Sequence, residues 1–210
     1  MKKIKDYQIL QSWFASSFPV GSFNYSHGIE TAIQNQEIQN IIDVHDWIKF
    51  CINNGSGYND AILIKCAYQN ECINEIALSL CAGYERFMET KEMGSAFSKL
   101  IKEIYKITLP NNLAYPVAIG NAAKLLEIDL NLTISSYLQA FASNLISVAV
   151  KSIPLGQTEG QKCLFWLMLD IQNVSKKSSQ LNISDLGGAA IYSDICSLKH
   201  ETLSSRIYKT

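Results

Sequence analysis

The sequence predicts an all-α protein with a single globular domain of about eight to ten packed helices. Three observations predict this fold. The 210 residues include only four prolines and eleven glycines, so long helices are permitted. Apolar residues recur at intervals of three and four along most of the chain, which is the spacing of one helix face. Strict alternation of apolar and polar residues, which marks a half-buried strand, does not recur.

The N-terminal quarter of the chain predicts three helices. The first has apolar residues at helical spacing, namely Ile9, Leu10, Trp13, Phe14 and Phe18. A break at residues 18–22 separates it from a second helix, whose face carries Tyr25, Ile29 and Ile33. The third helix begins at Asp43, a residue type that favours the N-cap, and it ends before a predicted loop at residues 53–57.

The middle of the chain predicts five further helices. Four of them are expected at residues 61–64, 75–82, 92–107 and 116–128. Pro116 suits the first turn of its helix, where a missing N–H costs nothing. The fifth has Thr133 as its predicted cap and the clearest periodicity of all, with Ile134, Tyr137, Leu138, Phe141, Leu145, Ile146 and Ala149 on one face.

The C-terminal quarter predicts two helices and a tail. Residues 163–169 are apolar on every side, which is typical of a helix that is buried all round. Residues 173–184 are polar and rich in serine and lysine, and they predict a flexible loop. The last helix follows two glycines and carries Ile191, Ile195 and Leu198 at helical spacing. Residues 204–210 form a polar, basic tail.

Composition excludes several classes of protein. The net charge of −1 and pI near 6.3 lack the basic footprint of a nucleic-acid-binding protein. No run of 18 apolar residues is present, so no membrane span is expected. The lysines near the N-terminus are followed by a stretch that polar residues interrupt, which is unlike a signal peptide. The six cysteines include no C-x-x-C pair and predict single buried thiols. We expect a cytoplasmic protein.

Signatures of catalysis are missing from the sequence. Neither a phosphate-binding glycine loop nor a dinucleotide fingerprint is present, and neither H-E-x-x-H nor G-x-S-x-G occurs. His27 and Glu30 stand one helical turn apart and could face one metal ion, although a hydrogen-bonded surface pair explains the same spacing. His45 is expected to be exposed. The sequence therefore predicts no enzyme, no cofactor and no resident metal.

Two stretches are unusual for a plain helical bundle. The first, Phe18-Pro19-Val20-Gly21-Ser22-Phe23-Asn24-Tyr25-Ser26-His27-Gly28, packs aromatic residues, two glycines and a proline into one short segment. A glycine within a helical pattern costs about 1 kcal/mol relative to alanine, which indicates either a tightly packed elbow or a partner surface. The second is the tail, where Arg206 and Tyr208 are residue types common at interfaces, although a solvated tail is the alternative.

These stretches resemble the urease accessory protein UreF family. Residues 18–30 are similar to its pattern L-P-V-G-x-F-x-Y-S-x-G-L-E, with Phe18 and Ile29 in place of the two leucines. Pro154-Leu155-Gly156-Gln157-Thr158 matches P-L-G-Q-T. The C-terminal motif D-I…H-E-T-x-x-S-R-L-F is matched from Asp194 to Tyr208, with Ile207 and Tyr208 replacing leucine and phenylalanine. Tyr115-Pro116-Val117-Ala118-Ile119-Gly120 also fits. The weakest region is residues 53–84.

The resemblance implies an all-α homodimer that is not an enzyme. It implies a complex with a urease accessory D/H protein and with the nickel-carrying accessory GTPase, G, which docks on apo-urease and delivers nickel. Within the chain it implies a helical domain at residues 1–198 and a partner-binding tail at residues 199–210. The partner-binding residues that it implies are Pro19, Gly21, Phe23, Tyr25, Ser26, Gly28, Glu30, Pro154, Gly156, Gln157, His200, Glu201, Thr202, Ser205, Arg206 and Tyr208.

Two other functions remain open at this point. One is a small helical metal enzyme built on His27, Glu30 and His200, since Ni²⁺ favours imidazole and carboxylate donors. The other is a helical adaptor that has nothing to do with urease. A GTPase-activating arginine would have to be Arg86 or Arg206, the two arginines of the chain. With so few arginines, control of GTP hydrolysis by scaffolding is the stronger expectation.

Overall fold

Ten α-helices make up the part of the chain that the structure, a computed structural model, describes, which is residues 2–209. Met1 of the predicted domain and Thr210 of the predicted tail lie outside it. The helices are α1 (Lys2–Trp13), α2 (Ile29–Gln34), α3 (Ile41–Asn54), α4 (Ser56–Tyr68), α5 (Asn74–Ser79), α6 (Tyr84–Tyr105), α7 (Tyr115–Leu125), α8 (Leu130–Ser152), α9 (Gln157–Ser178) and α10 (Ile191–His200). No strand occurs in this range. The predicted all-α class is confirmed.

Helix α4 is the central element of the bundle. Its residues 61–67 are consecutively buried, and the helix packs against α3, α7, α8 and α9. Gly120 on α7 permits the closest of these approaches, because a Cβ there would lie 2.4 Å from the carbonyl oxygen of Ile64. The aliphatic side chains of Ile62, Ile64 and Ile119 are fully buried around this contact. Burial of each such side chain stabilises the fold by about 1.5–3 kcal/mol.

The N-terminal helix closes one side of this core through aromatic contacts. Trp13 packs edge-on against Phe97 of α6, with ring centroids 5.1 Å apart. Its indole nitrogen donates a hydrogen bond of 3.2 Å to the Tyr105 hydroxyl. The predicted first helix is therefore present, but it ends at Trp13, so Phe14 and Phe18 of its predicted face lie beyond it. In the part of the chain described, no helix has the length and apolar character needed to cross a membrane.

Several predicted helix ends are wrong by a few residues. The cap of α3 is Asn40, whose Oδ1 accepts from the backbone N–H of Ile42, while Asp43 completes a capping box from the third position. Asp129 caps α8 by accepting from the N–H of Leu132 at 2.8 Å. Thr133 lies one turn inside that helix. In both cases the apolar periodicity begins only after the first turn, so it marks the start of the buried face rather than the start of the helix.

Two predicted loops are largely helical, and one predicted helix begins late. Only Gly55 separates α3 from α4, so the predicted loop at residues 53–57 is a tight junction. Helix α9 runs to Ser178 through half of the loop predicted at 173–184, where its inner residues Val174, Ser175 and Ser178 are buried. Helix α2 begins at Ile29, and Tyr25 lies before it in extended backbone after a 3-10 turn at Ser22–Asn24.

Helix α9 contradicts the expectation that residues 163–169 are buried all round. Cys163 and Leu167 face the core, but Phe165 is 69% exposed and Leu169 is 66% exposed. The reason is position: α9 packs against α3 and α8 at the edge of the bundle, whereas α4 occupies the centre. His45, expected to be exposed, is half-buried because its ring packs edge-on against Trp166 at 5.9 Å.

Candidate functional site

The C-terminal tail folds back onto the body of the protein and is anchored by Glu30 at the start of α2. The carboxylate of Glu30 accepts from the backbone N–H of Ile207 at 2.7 Å and from that of Tyr208 at 3.1 Å. Glu30 is only 4% exposed, and Tyr208 is 7% exposed. A buried carboxylate needs such donors to replace water. The first and last unusual stretches of the sequence therefore meet at one place.

His200, the last residue of α10, connects this anchor to helix α6. Its Nε2 lies 2.9 Å from Oε2 of Glu30, and its Nδ1 lies 2.7 Å from Oε2 of Glu85. Carboxylates only accept hydrogen bonds, so an imidazole ring protonated on both nitrogens satisfies both contacts. The ring is completely buried. His200 thus ties α2, α6 and α10 together directly beneath the tail.

Further contacts hold the tail along its length. Arg206 forms an ion pair with Glu85, and the backbone N–H of Lys209 donates to the carbonyl oxygen of Asn24 at 2.7 Å. The ammonium group of Lys209 lies 3.1 Å from Glu92, which also accepts from the Tyr25 hydroxyl at 2.9 Å. These two donors lower the pKa of Glu92, whereas burial and the bond to Glu92 raise the pKa of Tyr25.

Gly28 allows α10 to approach closely enough for these contacts. Its φ of +78° is in the left-handed region, and it precedes the first residue of α2. A Cβ at this position would lie 2.8 Å from the carbonyl oxygen of Ser193 and 2.9 Å from the backbone nitrogen of Ser197. Gly28 therefore lies just before α2 rather than inside a helix, and the tight packing that the sequence pattern indicated at this position is present.

The predicted partner-binding residues fall into three groups by exposure. Tyr25 and Ser26 are buried, as are Gly28, Glu30, His200 and Tyr208 described above. Gly21 and Glu201 are partly exposed. Exposed positions are Pro19, Phe23, Pro154, Gly156, Gln157, Thr202, Ser205 and Arg206. The structure brings the first and last stretches together, while Pro154, Gly156 and Gln157 lie at the beginning of α9.

His27 belongs to a separate buried cluster with Arg86 and Glu89 of α6. Its Nε2 lies 2.9 Å from Oε1 of Glu89 and 2.9 Å from the guanidinium of Arg86, which also pairs with Glu89. Burial acts against ionisation of Glu89, but Arg86 and His27 outweigh it and lower the pKa of Glu89 to about 2. Burial and Arg86 lower the pKa of His27. His27 and Glu30 therefore have different partners.

The same cluster lines a polar cavity of about 250 Å³ in the middle of the bundle. Its wall also includes Asp60 of α4, Asp194 of α10, Tyr115 and Tyr137. The Tyr137 hydroxyl donates to Oδ2 of Asp60 at 2.7 Å. Burial raises the pKa of the Asp60 carboxyl to about 6 despite that bond. Among residues 2–209, no three histidine, cysteine or acidic side chains are grouped so as to hold a metal ion.

Known proteins resemble this chain over nearly its whole length. The model of the UreF family matches residues 38–168 of the chain. A urease accessory protein UreF of Cereibacter sphaeroides is 39% identical over 204 residues, covering 96% of this chain and 97% of the relative. The UreF proteins of Ruegeria pomeroyi and Roseobacter denitrificans are each 37% identical and cover 96% of this chain, with 95% and 92% of the relatives matched.

The chain belongs to the UreF family. The family is one of urease accessory proteins, so the resemblance that the motifs carry is confirmed. The family model begins after the Phe18–Glu30 stretch and ends before the tail, whereas the three relatives match nearly the whole chain. Membership therefore does not depend on the two unusual stretches alone.

Sequence reasoning missed the acidic residues that receive the tail of this UreF chain. Glu85 and Glu92 lie on α6 with Glu89 between them, and the sequence patterns assign none of the three a role. Their spacing of three and four places all three on neighbouring turns of one helix face. That spacing was the available signal. It does not reveal that Glu85 and Glu92 contact the tail while Glu89 pairs with Arg86.

Proposed function

We propose that this chain is a non-catalytic scaffold and regulator of urease maturation. As a cytoplasmic homodimer it bridges the D/H accessory protein and the nickel-carrying G GTPase, and the assembly loads nickel into apo-urease. Family membership supports the accessory role. The observation that carries the bridging role is the ordered tail, which presents Arg206 and Ile207 outward while Glu30 holds its backbone from below. His200 in turn contacts the Glu30 carboxylate.

Exposed residues of the tail and of the elements beside it form a surface that we name the tail surface. It consists of Tyr84, Leu198, Arg206 and Ile207. Arg206 pairs with Glu85, next to Tyr84, and a Cβ on Gly83 would lie 2.8 Å from Leu198. Tyr84 is 68% exposed and Ile207 is 75% exposed. Exposed aromatic and aliphatic side chains around an arginine are typical of the centre of a protein interface.

Helix α10 adds to the support for a docking role. Ile191, Ile195 and Leu198 form its most apolar face, and they point to solvent at 65%, 38% and 47% exposure. The face that packs inward instead carries Cys196, Ser197 and His200. An amphipathic surface helix normally turns its apolar face to the core. The reversed orientation is expected where another protein covers the helix, and we assign that role to the D/H protein.

The position of Arg86 favours regulation by scaffolding over direct insertion of an arginine into the active site of the GTPase. Its side chain is 15% exposed and is neutralised by Glu89. An arginine that reaches the γ-phosphate of a second protein has to project from the surface. Arg206, with a side chain 42% exposed, projects further, but Glu85 holds it. If Arg206→Ala lowered GTP turnover while leaving the complex assembled, direct participation would replace scaffolding in this proposal.

The proposal is tested by co-expression with the cognate D/H protein and G GTPase, followed by size-exclusion chromatography with light scattering. We expect a stoichiometric complex larger than the free protein. A chain truncated after Leu203, which keeps the buried His200, should lose the D/H protein and keep its helical circular dichroism. Separate elution of the full-length proteins at low and moderate salt would contradict the bridging role. Binding of the D/H protein by the truncated chain would show that the tail is not part of the interface.

A further inference from the structure

The polar cavity in the middle of the bundle has room for a small molecule and an opening to solvent. Its volume of about 250 Å³ lies just below the range of sites for drug-sized ligands and can hold about eight water molecules. Leu80, Gly188 and Asp194 line the cavity and are exposed, so its opening lies between the end of α5 and the start of α10. The residues of the tail surface do not line this space.

The lining of the cavity carries more negative than positive charge. Among the described residues, its one lysine or arginine is Arg86, which Glu89 already neutralises. Burial and Arg86 lower the pKa of His27, so that ring is neutral. Neither Asp60 nor Asp194 forms an ion pair within residues 2–209, and burial raises the pKa of both. The cavity therefore favours a cation over an anion, because a positive charge would balance these carboxylates.

Aromatic rings form the wall next to Asp60. The ring centroid of Tyr137 lies 5.9 Å from that of Phe14 and 5.7 Å from that of Tyr115. The ring planes meet at 84° and 43°, so the three rings enclose a corner rather than a flat stack. Three further aromatic side chains line the cavity, namely Trp13, Tyr25 and Phe141. Aromatic rings attract a cation that lies within about 6 Å of their centroids, and their carbon surface also suits an alkyl chain.

Two hydrogen-bonding groups at this corner have no protein partner. Asp60 accepts from the Tyr137 hydroxyl through Oδ2 at 2.7 Å, while its Oδ1 makes no hydrogen bond within residues 2–209. Tyr115 is 7% exposed and lines the cavity, and its hydroxyl likewise has no partner in the described part of the chain. Buried polar groups are normally paired, so an occupant with N–H donors is expected here. A carboxylate oxygen and a hydroxyl oxygen can both accept from an ammonium group.

We infer that this cavity binds a small organic ammonium ion, whose N–H groups donate to Asp60 and Tyr115 and whose carbon chain lies among the aromatic rings. The inference goes beyond the role in urease maturation and does not depend on it. A divalent metal ion matches the cavity less well, because it requires several donors around one point. No three histidine, cysteine or acidic side chains of residues 2–209 are grouped in that way.

Isothermal titration calorimetry on the purified full chain tests the inference, with n-butylammonium chloride as the probe. We expect one-to-one binding with a Kd of about 1 mM or tighter, which is reasonable for a ligand of five non-hydrogen atoms. The neutral analogue n-butanol has the same carbon chain without the charge and should bind at least about tenfold more weakly. Sodium butyrate carries the opposite charge and should not bind.

Two substitutions separate the contribution of the carboxylate from that of the rings. Asp60→Asn keeps the size of the side chain and should weaken butylammonium binding at least about tenfold. Asp46→Asn is its matched control, because this exposed aspartate lies outside the cavity, and it should leave the affinity unchanged. Phe14→Leu keeps the wall apolar but removes a ring, so it should weaken butylammonium about threefold and leave butanol binding unchanged. Circular dichroism should match the wild type in all three variants.

The affinity for butylammonium should also depend on pH. Because Asp60 has a pKa of about 6, the apparent affinity should be about tenfold lower at about pH 5 than at about pH 7.5. Asp194 at the opening also has a raised pKa and acts in the same direction. Asp60→Asn should remove most of this dependence. The other ionisable side chains that line the cavity keep one charge state across this range, namely His27, Arg86, Glu89, Tyr25, Tyr115, Tyr137 and Cys81.

Four results would overturn the inference. The first is the absence of butylammonium binding at about 10 mM, which is far above the expected Kd. The second is equal affinity for butylammonium and butanol, which would make the cavity a site for neutral apolar molecules. The third is equal weakening by Asp60→Asn and Asp46→Asn, which would place the cation on the outer surface. The fourth is a one-to-one complex with NiCl2 that Asp60→Asn abolishes while butylammonium stays unbound, which would assign the cavity to a metal ion.

Discussion

Glu30 and Tyr208 are 178 positions apart in the chain, yet the backbone N–H of Tyr208 donates to the Glu30 carboxylate at 3.1 Å. The same carboxylate accepts from Ile207 and His200. A side chain in the second helix therefore determines the path of the last residues of the chain. The position of the tail therefore depends on the Phe18–Glu30 stretch, because Glu30 accepts the hydrogen bonds that hold the tail.

Glu30→Gln should release the tail. The amide keeps the size of the side chain but loses the charge, and hydrogen bonds to a charged acceptor contribute about 1.5–3 kcal/mol. We expect the backbone amides of Ile207 and Tyr208 to exchange with solvent at least about tenfold faster, as measured by hydrogen–deuterium exchange. Glu103→Gln, on the exposed side of α6, is the control and should leave exchange in the tail unchanged. Unaltered protection in Glu30→Gln would contradict the anchor.

Gly28→Ala should destabilise the whole fold. The left-handed φ of +78° costs about 1–2 kcal/mol for any residue with a Cβ, and the new carbon would overlap the backbone of α10. We expect the free energy of unfolding to fall by at least about 2 kcal/mol in urea denaturation. Gly156→Ala is matched to it, because nothing lies within 4 Å of a Cβ at that position. Similar losses in the two variants would mean that close packing at Gly28 is not the cause.

Stability should depend on pH through Asp60. Burial raises the pKa of this carboxyl to about 6, whereas an unfolded aspartate titrates near about 4. Folding therefore favours the protonated form, whose contribution to stability is full below about pH 4 and is lost as the pH rises through about 6. Relative to Asp60→Asn, the wild type should lose roughly 2–3 kcal/mol of unfolding free energy across this window. Parallel pH profiles of the two proteins would show that Asp60 titrates normally.

Arg86 and Glu89 should behave as a buried pair rather than as two independent groups. Removing one member leaves the other charged and buried without its main partner, so Arg86→Met or Glu89→Leu alone should each cost about 3–5 kcal/mol. The double variant should cost clearly less than the sum of the two, which thermal or urea unfolding in a double-mutant cycle measures. Additive losses would contradict the pairing. Lys99→Met on the exposed face of α6 provides a control with little expected effect.

The fold class and most helices of this chain could be predicted, and so could its family. Apolar spacing identified α3, α6 and α8, because each buries one face and leaves much of the rest polar. Helix α7 was predicted from its helix-favouring composition and from Pro116 in its first turn. The helix ends were less predictable, since Asn40 and Asp129 act through side-chain bonds that precede the apolar face. The prediction of the family rested on motifs at both ends of the chain and on one near Pro154, which no argument from periodicity could have supplied.

The sequence by itself determined that the chain is helical, which segments carry apolar faces and which family it joins, because local periodicity and motif order are properties of the chain alone. Only the tertiary structure decided which apolar face meets the core. It buried residues 61–67 of α4 on all sides, left Phe165 on α9 and Leu198 on α10 in solvent, and paired Glu30 with the tail. Such choices depend on which helix lies at the centre of the bundle and on contacts between distant residues, and an apolar stripe looks the same in sequence whether its own core or another chain covers it.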